Sequence, residues 1–367
     1  MEKFLYLKLG FGNCLAKYWL NCEENVKNVF NKPVVAIYFG PIKAEEYRKL
    51  VYEEDKKTKN EEYRKLCKQY DMKMPESERE IGLRLNQIKE FFEARKSAER
   101  EGTQRTRFVT ITHDKVYIYE PGSDVNDVGD KFFHKYDSDL DELSKWHPKR
   151  LCGSINAAKI KNSGRIQHIP KIMYVKNFKE YDIENVPHVL ATLPCNQYLT
   201  QGTCREIDIK RNWGVIQAIK KTLEESVEKP ENTQQLLSLL SWHELETLVF
   251  LILKNAGVHP SAWRGGTLPN IDIVATNFEN QKVSVGEIVF EAKEKKTFQV
   301  KRGGMKKLDN AHYTVKIDFK GKNDKVLTAG WLLKRIKEKE QKDTKEWLLN
   351  SLNWVPDIES IIDKLQE

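Results

Sequence analysis

Three polar elements stand in order between residues 239 and 301. The first is Glu246, in the apolar run LLSWHELETLVFLILKNAG, whose period predicts a helix over 235–256. The second is Asp272, which opens the β-type run DIVATNF after the turn signal Pro269-Asn270. The third is Gln299-Val300-Lys301 in TFQVKRGG, a strand running into a basic glycine-rich loop. Such a set suits phosphodiester hydrolysis, which needs a divalent cation against the phosphate charge, a deprotonated water and a stabilised leaving oxygen. Mg2+ takes oxygen ligands and keeps several waters, so two or three protein oxygens suffice. Asp272, the side-chain oxygen of Gln299 and the carbonyl of Val300 are the candidate metal ligands. Residues 299 and 301 share a strand face, so Lys301 stands beside Gln299, where it could orient or activate the attacking water. Glu246 could bind metal through water or as a further ligand.

A second triplet competes with the third element. Glu291-Ala292-Lys293 follows the apolar run VSVGEIVF and is itself a Glu-x-Lys. In one arrangement 282–291 is an arm of an inserted hairpin, and Gln299 and Lys301 carry the chemistry. In the other, Glu291 and Lys293 carry it, and QVKR is a basic surface strand. A carboxylate is the better metal ligand on charge grounds, whereas EAKEKK reads as a polar turn and TFQVKR as a strand. Each residue also has a plain reading. Glu246 could be an exposed helix residue, Asp272 a strand cap, and Lys301 part of a phosphate-binding patch with Arg302, Lys306 and Lys307. Their joint order favours the site.

The elements that must position these residues come from the wider pattern. A chain of 367 residues has length for two or three domains. The best break is the polar segment Pro230–Gln234, after a predicted helix over 215–229. The expected division is 1–210, a helical linker 211–234, and 235–367. In the last part, strands are expected at 270–277, 282–291, 296–301 and 313–319, with closing helices from GWLLKRIKEKE and EWLLNSL. Upstream, KFLYLKL and PVVAIYFG read as strands, residues 13–30 as a helix, and RFVTITH with KVYIYEPG as a hairpin around His113-Asp114. Between 43 and 98 the pattern is charged and helical. The hexapeptide EEYRKL recurs at Glu45–Leu50 and Glu61–Leu66 and reads as two solvated turns. Leu85, Ile88, Phe91 and Phe92 mark one apolar helix face. The region 123–150 reads as an acidic loop, followed by short strands and turns to about 208.

Basic residues outnumber acidic ones by 62 to 54, a net charge of +8 that suits a polyanionic partner. The six cysteines include no CxxC pair, which argues against structural zinc and against a disulfide framework, and fits reduced thiols in a cytoplasm. The N-terminal apolar run is too short for a signal peptide, and Leu248–Leu253 is far too short to span a bilayer. Gly10-Phe11-Gly12 lacks the downstream Lys-Ser/Thr of a phosphate loop, and His168, His188 and His243 stand alone.

Leu245-Glu246, then Gly257, then Asp272 before Ile273-Val274-Ala275, then Phe298-Gln299-Val300-Lys301-Arg302 resembles the ordered motif set of the Mrr-type restriction endonucleases of the PD-(D/E)xK nuclease superfamily. The Asp-to-Gln gap is longer than in that pattern and holds the second triplet. The resemblance covers the part after residue 235. It implies an α/β fold whose mixed sheet is flanked by helices, Mg2+ with Mn2+ as a substitute, double-stranded DNA as substrate, and a homodimer where both strands are cut. Gln299 in place of an acid keeps open a non-catalytic nucleic-acid-binding protein on a degenerate nuclease fold. Upstream, FLYLKLGFG, NQIKEFFEA, FVTITHDKVYIYEPG and LCGSINAAKIKNSGRI are similar to modules of the PUA/EVE kind. That likeness implies an α+β, PUA-like β-barrel that binds DNA and stacks a modified base on aromatic faces. Trp19, Tyr38, Tyr117, Tyr119 and Trp146 are the candidates, each with a core role as the alternative.

Overall fold

The computed structural model describes residues 2–10, 13–20, 30, 32–99, 105–128, 136–142, 161–162, 165–166, 168–195, 203–209, 212–255, 258–263, 273–277, 282–285, 288–291, 297–302, 313–317, 326–327 and 329–365. It is a mixed α/β chain in two units, Met1–Val186 with Ala191–Arg211, and Pro187–Leu190 with Asn212–Glu367.

The first unit is built on a seven-stranded sheet. Its elements are β1 (Glu2–Leu7), α1 (Ala16–Leu20), β2 (Val34–Ile37), α2 (Ala44–Tyr52), α3 (Lys56–Gln69), α4 (Glu78–Glu99), β3 (Arg105–Ile111), β4 (Lys115–Pro121), β5 (Asn126–Asp127), the small pair β6 (Lys161–Asn162) and β7 (Arg165–Ile166), β8 (Lys171–Asp182) and β9 (Cys204–Glu206). The sheet order is β2-β8-β4-β3-β1-β9, with β5 paired to β8. β1 and β3 run parallel, Leu5 opposite Phe108, and the other pairs are antiparallel. Neighbouring residues on β1 point to opposite faces, yet Phe4, Leu5, Tyr6 and Leu7 are all buried, so both faces of that strand are covered. On α4, Leu85, Ile88, Phe91 and Phe92 enter the core as their spacing requires, and Phe91 meets the Phe108 ring at 6.0 Å.

Several expectations need correction here. The two EEYRKL turns are not simply solvated. Tyr47 and Tyr63, the same position in each copy, are fully buried in one core. Each Glu/Lys-rich helix needs an anchor in the core, and the aromatic supplies it. The acidic region 123–150 contains β5 and a helical stretch at 136–142. The short strands expected before 208 include one of 12 residues, β8. Its first half is buried and its second half largely exposed, so no single period marks it.

The second unit combines a helical cluster with a five-stranded sheet. The helices are α5 (Trp213–Thr222), α6 (Thr233–Ser238), α7 (Trp242–Asn255), α8 (Ala329–Ile336), α9 (Lys342–Ser351) and α10 (Ile358–Lys364). Leu236, Leu248, Ile252, Leu332, Leu348 and Ile362 are among the residues that form its core. The stretch 215–229 is helical only to Thr222; Glu224, at φ 61°, then takes the left-handed conformation that stops a helix. The single helix expected over 235–256 is two. Ser241 interrupts it by capping α7, accepting from the Glu244 N–H at 3.2 Å while its own N–H donates to the Glu244 carboxylate at 2.7 Å. Residues 212–234 are packed into this unit. Gly214 of α5 lies so close to α6 that a Cβ there would stand 1.9 Å from the Ser238 carbonyl oxygen.

The sheet of this unit has the order β10 (Val258–Trp263), β11 (Ile273–Asn277), β14 (Thr297–Arg302), β15 (Tyr313–Ile317), β16 (Val326–Leu327). Two further strands, β12 (Lys282–Val285) and β13 (Ile288–Glu291), pair with each other in a separate two-stranded sheet. The run 282–291, expected as one arm of a hairpin, therefore supplies both β12 and β13, antiparallel to each other.

Candidate functional site

Glu246 lies in the first half of α7, a helix fixed at its start by the Ser241/Glu244 box and along its length by buried Leu245, Leu248, Val249 and Ile252. The cap has a third member. His188 Nδ1 lies 2.9 Å from Ser241 Oγ and 3.3 Å from the Glu244 carboxylate. That hydrogen bond to Glu244 raises the histidine's pKa above its ordinary value, against the opposing effect of burial. Sequence reading left His188 as an isolated residue, because its partners are more than 50 positions away.

The strands around the candidate chemistry are described by their backbone. β11 and β14 are direct antiparallel neighbours, with Ile273 opposite Val300 and Val274 opposite Gln299. Asp272 itself lies outside the described residues, one peptide bond before Ile273. β14 carries Gln299, Val300, Lys301 and Arg302 consecutively, and β15 continues the sheet in parallel. In that parallel register Thr314 stands beside Gln299 and Lys316 beside Lys301. Lys316 adds a cation at a position the sequence reading did not single out; the alternation in YTVKIDF placed it on a strand but gave no register.

Of the rival triplet, only Glu291 falls within the described residues. Glu291 is the last residue of β13, opposite Lys282 in the hairpin, and this hairpin is not part of the five-stranded sheet. Lys293, Lys306 and Lys307 lie outside the described residues. Among the described residues, no group of three or more His, Cys, Asp or Glu side chains could hold a metal ion. Asp272 lies beyond them, and two of the expected ligands, the Gln299 amide and the Val300 carbonyl, are of other kinds. No helix among the described residues is long and apolar enough to cross a membrane.

In the first unit, three of the aromatic candidates for base stacking are core residues: Trp19, Tyr117 and Tyr119 are fully buried. The polar atoms of two of them have structural uses, Trp19 Nε1 donating to the Tyr38 hydroxyl at 2.7 Å and the Tyr119 hydroxyl pairing with Thr110 at 2.8 Å. Tyr38 is half-buried, and Trp146 lies outside the described residues. Compared with protein-family models, curated proteins and solved structures, the chain matches none.

Proposed function

We propose that the second unit is a Mg2+-dependent DNA endonuclease of the PD-(D/E)xK kind, and that the first unit recognises DNA for it, in restriction of foreign or modified DNA. One observation carries the reading. β11, which begins one residue after Asp272, pairs directly with the strand bearing Gln299-Val300-Lys301. Two segments more than 20 residues apart in the chain are thereby neighbours in one sheet, and the helix bearing Glu246 precedes them in the order this chemistry requires. The same topology supports Gln299/Lys301 over Glu291/Lys293, because Glu291 belongs to a hairpin outside that sheet.

The donor set fits a hard cation, since Asp272, the Gln299 amide and the Val300 carbonyl all offer oxygen. A bound Mg2+ would polarise the phosphate and lower the pKa of its water. Lys301 would hold the attacking water by its ammonium and offset negative charge as the transition state forms. Glu246 would accept a proton or anchor water from the helix side. Lys316, beside Lys301 in the β14/β15 register, and Arg302, the next residue along β14, would draw the DNA backbone towards these strand ends.

Cleavage of supercoiled plasmid with Mg2+ or Mn2+ tests the reading. Asp272→Ala and Lys301→Ala should each lower the rate by at least a hundredfold while DNA binding persists, and Lys293→Ala should leave the rate near wild type. Full activity in the double variant Asp272→Ala/Lys301→Ala would reject the site. Tight, salt-sensitive DNA binding by a wild-type chain that takes up no divalent metal would instead identify a non-catalytic binding protein.

A further inference from the structure

A cleft of about 1200 Å³ opens in the first unit, lined by residues of that unit. Its walls come from four places: the end of β2 and the turn after it, α3 with the turn that follows, α4, and the chain around Ile166 and His168. Four aromatic side chains line it, the partly exposed Tyr38, Phe39 and Tyr70 and the buried Tyr63, so the accessible ring surface comes from the first three. Their hydroxyls are already engaged. Tyr38 bonds Trp19 and Tyr136, Tyr70 donates to Glu46 at 2.6 Å, and Tyr63 is paired with Arg84. These walls therefore offer ring surface more than hydrogen bonds. One wall is fixed by backbone geometry. Gly40 has φ 92°, and a Cβ there would lie 2.6 Å from Met72 Cε, so the Met72 side chain rests directly on the glycine.

The charged groups in the lining are Arg84, Lys73 and the exposed carboxylate of Asp71. Arg84 gives one nitrogen to Glu80 at 2.7 Å and hydrogen-bonds the Tyr63 hydroxyl, which leaves the remaining donors of its five for an anion, while the exposed Lys73 ammonium, 3.2 Å from Glu76, keeps further donors of its own. His168 also lines the cleft, and its Nδ1 is buried with no hydrogen-bond partner among the described residues. Burial, assisted by the charge on Lys171, lowers the histidine's pKa and favours the neutral ring. A neutral imidazole with an unfilled hydrogen-bonding position is costly in an interior that supplies no partner.

We infer that this cleft binds a planar aromatic anion of nucleoside-phosphate size, its ring against the tyrosine and phenylalanine faces and its anionic group on Arg84 and Lys73. The inference does not depend on the nuclease reading. The same ligand chemistry is present in a free nucleotide and in a nucleotide of a single strand, and the test separates them.

The full chain is titrated calorimetrically with AMP, adenosine, inorganic phosphate and a short single-stranded oligodeoxynucleotide. AMP should bind at least tenfold more tightly than adenosine or phosphate alone. Arg84→Gln should bring AMP down to the level of adenosine, and Lys73→Ala, at an exposed position, should weaken AMP severalfold without affecting the fold. Ile166→Trp, at a half-exposed rim position, should fill the cleft and abolish binding. An oligonucleotide that binds with the same dependence on Arg84 and Ile166, and that AMP displaces, assigns the source to a strand; AMP bound without it assigns a free nucleotide. No binding of AMP or oligonucleotide at millimolar concentration, or equal binding of AMP and adenosine, would overturn the proposal. So would binding that Lys73→Ala and Ile166→Trp both leave unchanged.

Discussion

The same substitution should have opposite signs at two helical glycines. Gly82 lies inside α4 with nothing within 4 Å of where a Cβ would stand. Alanine there loses less backbone entropy on folding than glycine, so Gly82→Ala should stabilise by about 0.5–1 kcal/mol. Gly214 lies inside α5, and propensity alone predicts the same gain. Its environment reverses the outcome. The added methyl would sit 1.9 Å from the Ser238 carbonyl oxygen, 2.4 Å from its carbon and 2.8 Å from the Leu239 Cα, all backbone atoms that cannot rotate away. α6 would have to retreat by more than about 1 Å, pulling Leu236 and Leu237 out of a close-packed core. Overpacking of this severity costs about 3 kcal/mol or more, and the returned propensity offsets about 1, leaving a net loss of about 2 kcal/mol or more. Urea unfolding of the full chain gives the sign for each variant. Hydrogen exchange of peptides from 213–255 and 78–99 assigns the change to the right unit. A Gly214→Ala protein as stable as wild type would refute the close approach of α5 and α6, and with it the packing of 212–234 into the second unit.

Lys171 is fully buried, its Nζ donating to the Ile169 carbonyl at 2.6 Å and lying 3.6 Å from Asp127; burial lowers its pKa to about 8. The unfolded chain then binds the proton more tightly than the folded one, so stability rises as pH climbs from about 8 to the unfolded value near 10.4. Relative to Lys171→Met, wild type should gain on the order of 3 kcal/mol between pH 7 and 10.5; a difference that does not change with pH would contradict the burial. For His188 the sign is opposite. Glu244 raises its folded pKa, so its contribution is complete below about 6.5 and is lost as pH rises through the raised value. The side chain is 51% exposed, so solvent screening holds this contribution to a few tenths of a kcal/mol. An NMR titration in which His188 of the full chain titrates below 6.5, or in which Glu244→Gln leaves it unmoved, would contradict the clasp. Ser241→Ala removes the N-cap of α7 and should cost about 1 kcal/mol by thermal or urea unfolding, with loss of the His188 shift.

Legibility in the sequence followed the range of the forces involved. The apolar face of α4 and the hairpin around His113-Asp114 were readable because helical period, alternation and turn chemistry are local. β14 was readable for the same reason, and so was its place after β11 in the chain. Their pairing was not, since register depends on the whole sheet, and neither was the position of Lys316 beside Lys301. The break at Ser241 carried a local signal, Ser-x-x-Glu, that the continuous apolar run of leucines obscured. Tyr47 and Tyr63 looked like members of charged turns because their burial comes from partners far along the chain. The segment before α6 looked like a linker for its Pro and polar content, yet Asn232 caps that helix through the Gln235 N–H at 2.9 Å.

The four-residue insert Pro187–Leu190 has a practical consequence for anyone dissecting this protein. The chain passes between its two units three times, after Val186, after Leu190 and after Arg211. No single cleavage, natural or engineered, separates them cleanly. A C-terminal fragment beginning at Asn212 would carry Ser241 and Glu244 but would have lost His188, leaving the start of the Glu246 helix without one of its native partners. Activity or stability measured on such a fragment should first be compared with the same fragment supplied with residues 187–190 as a separate peptide.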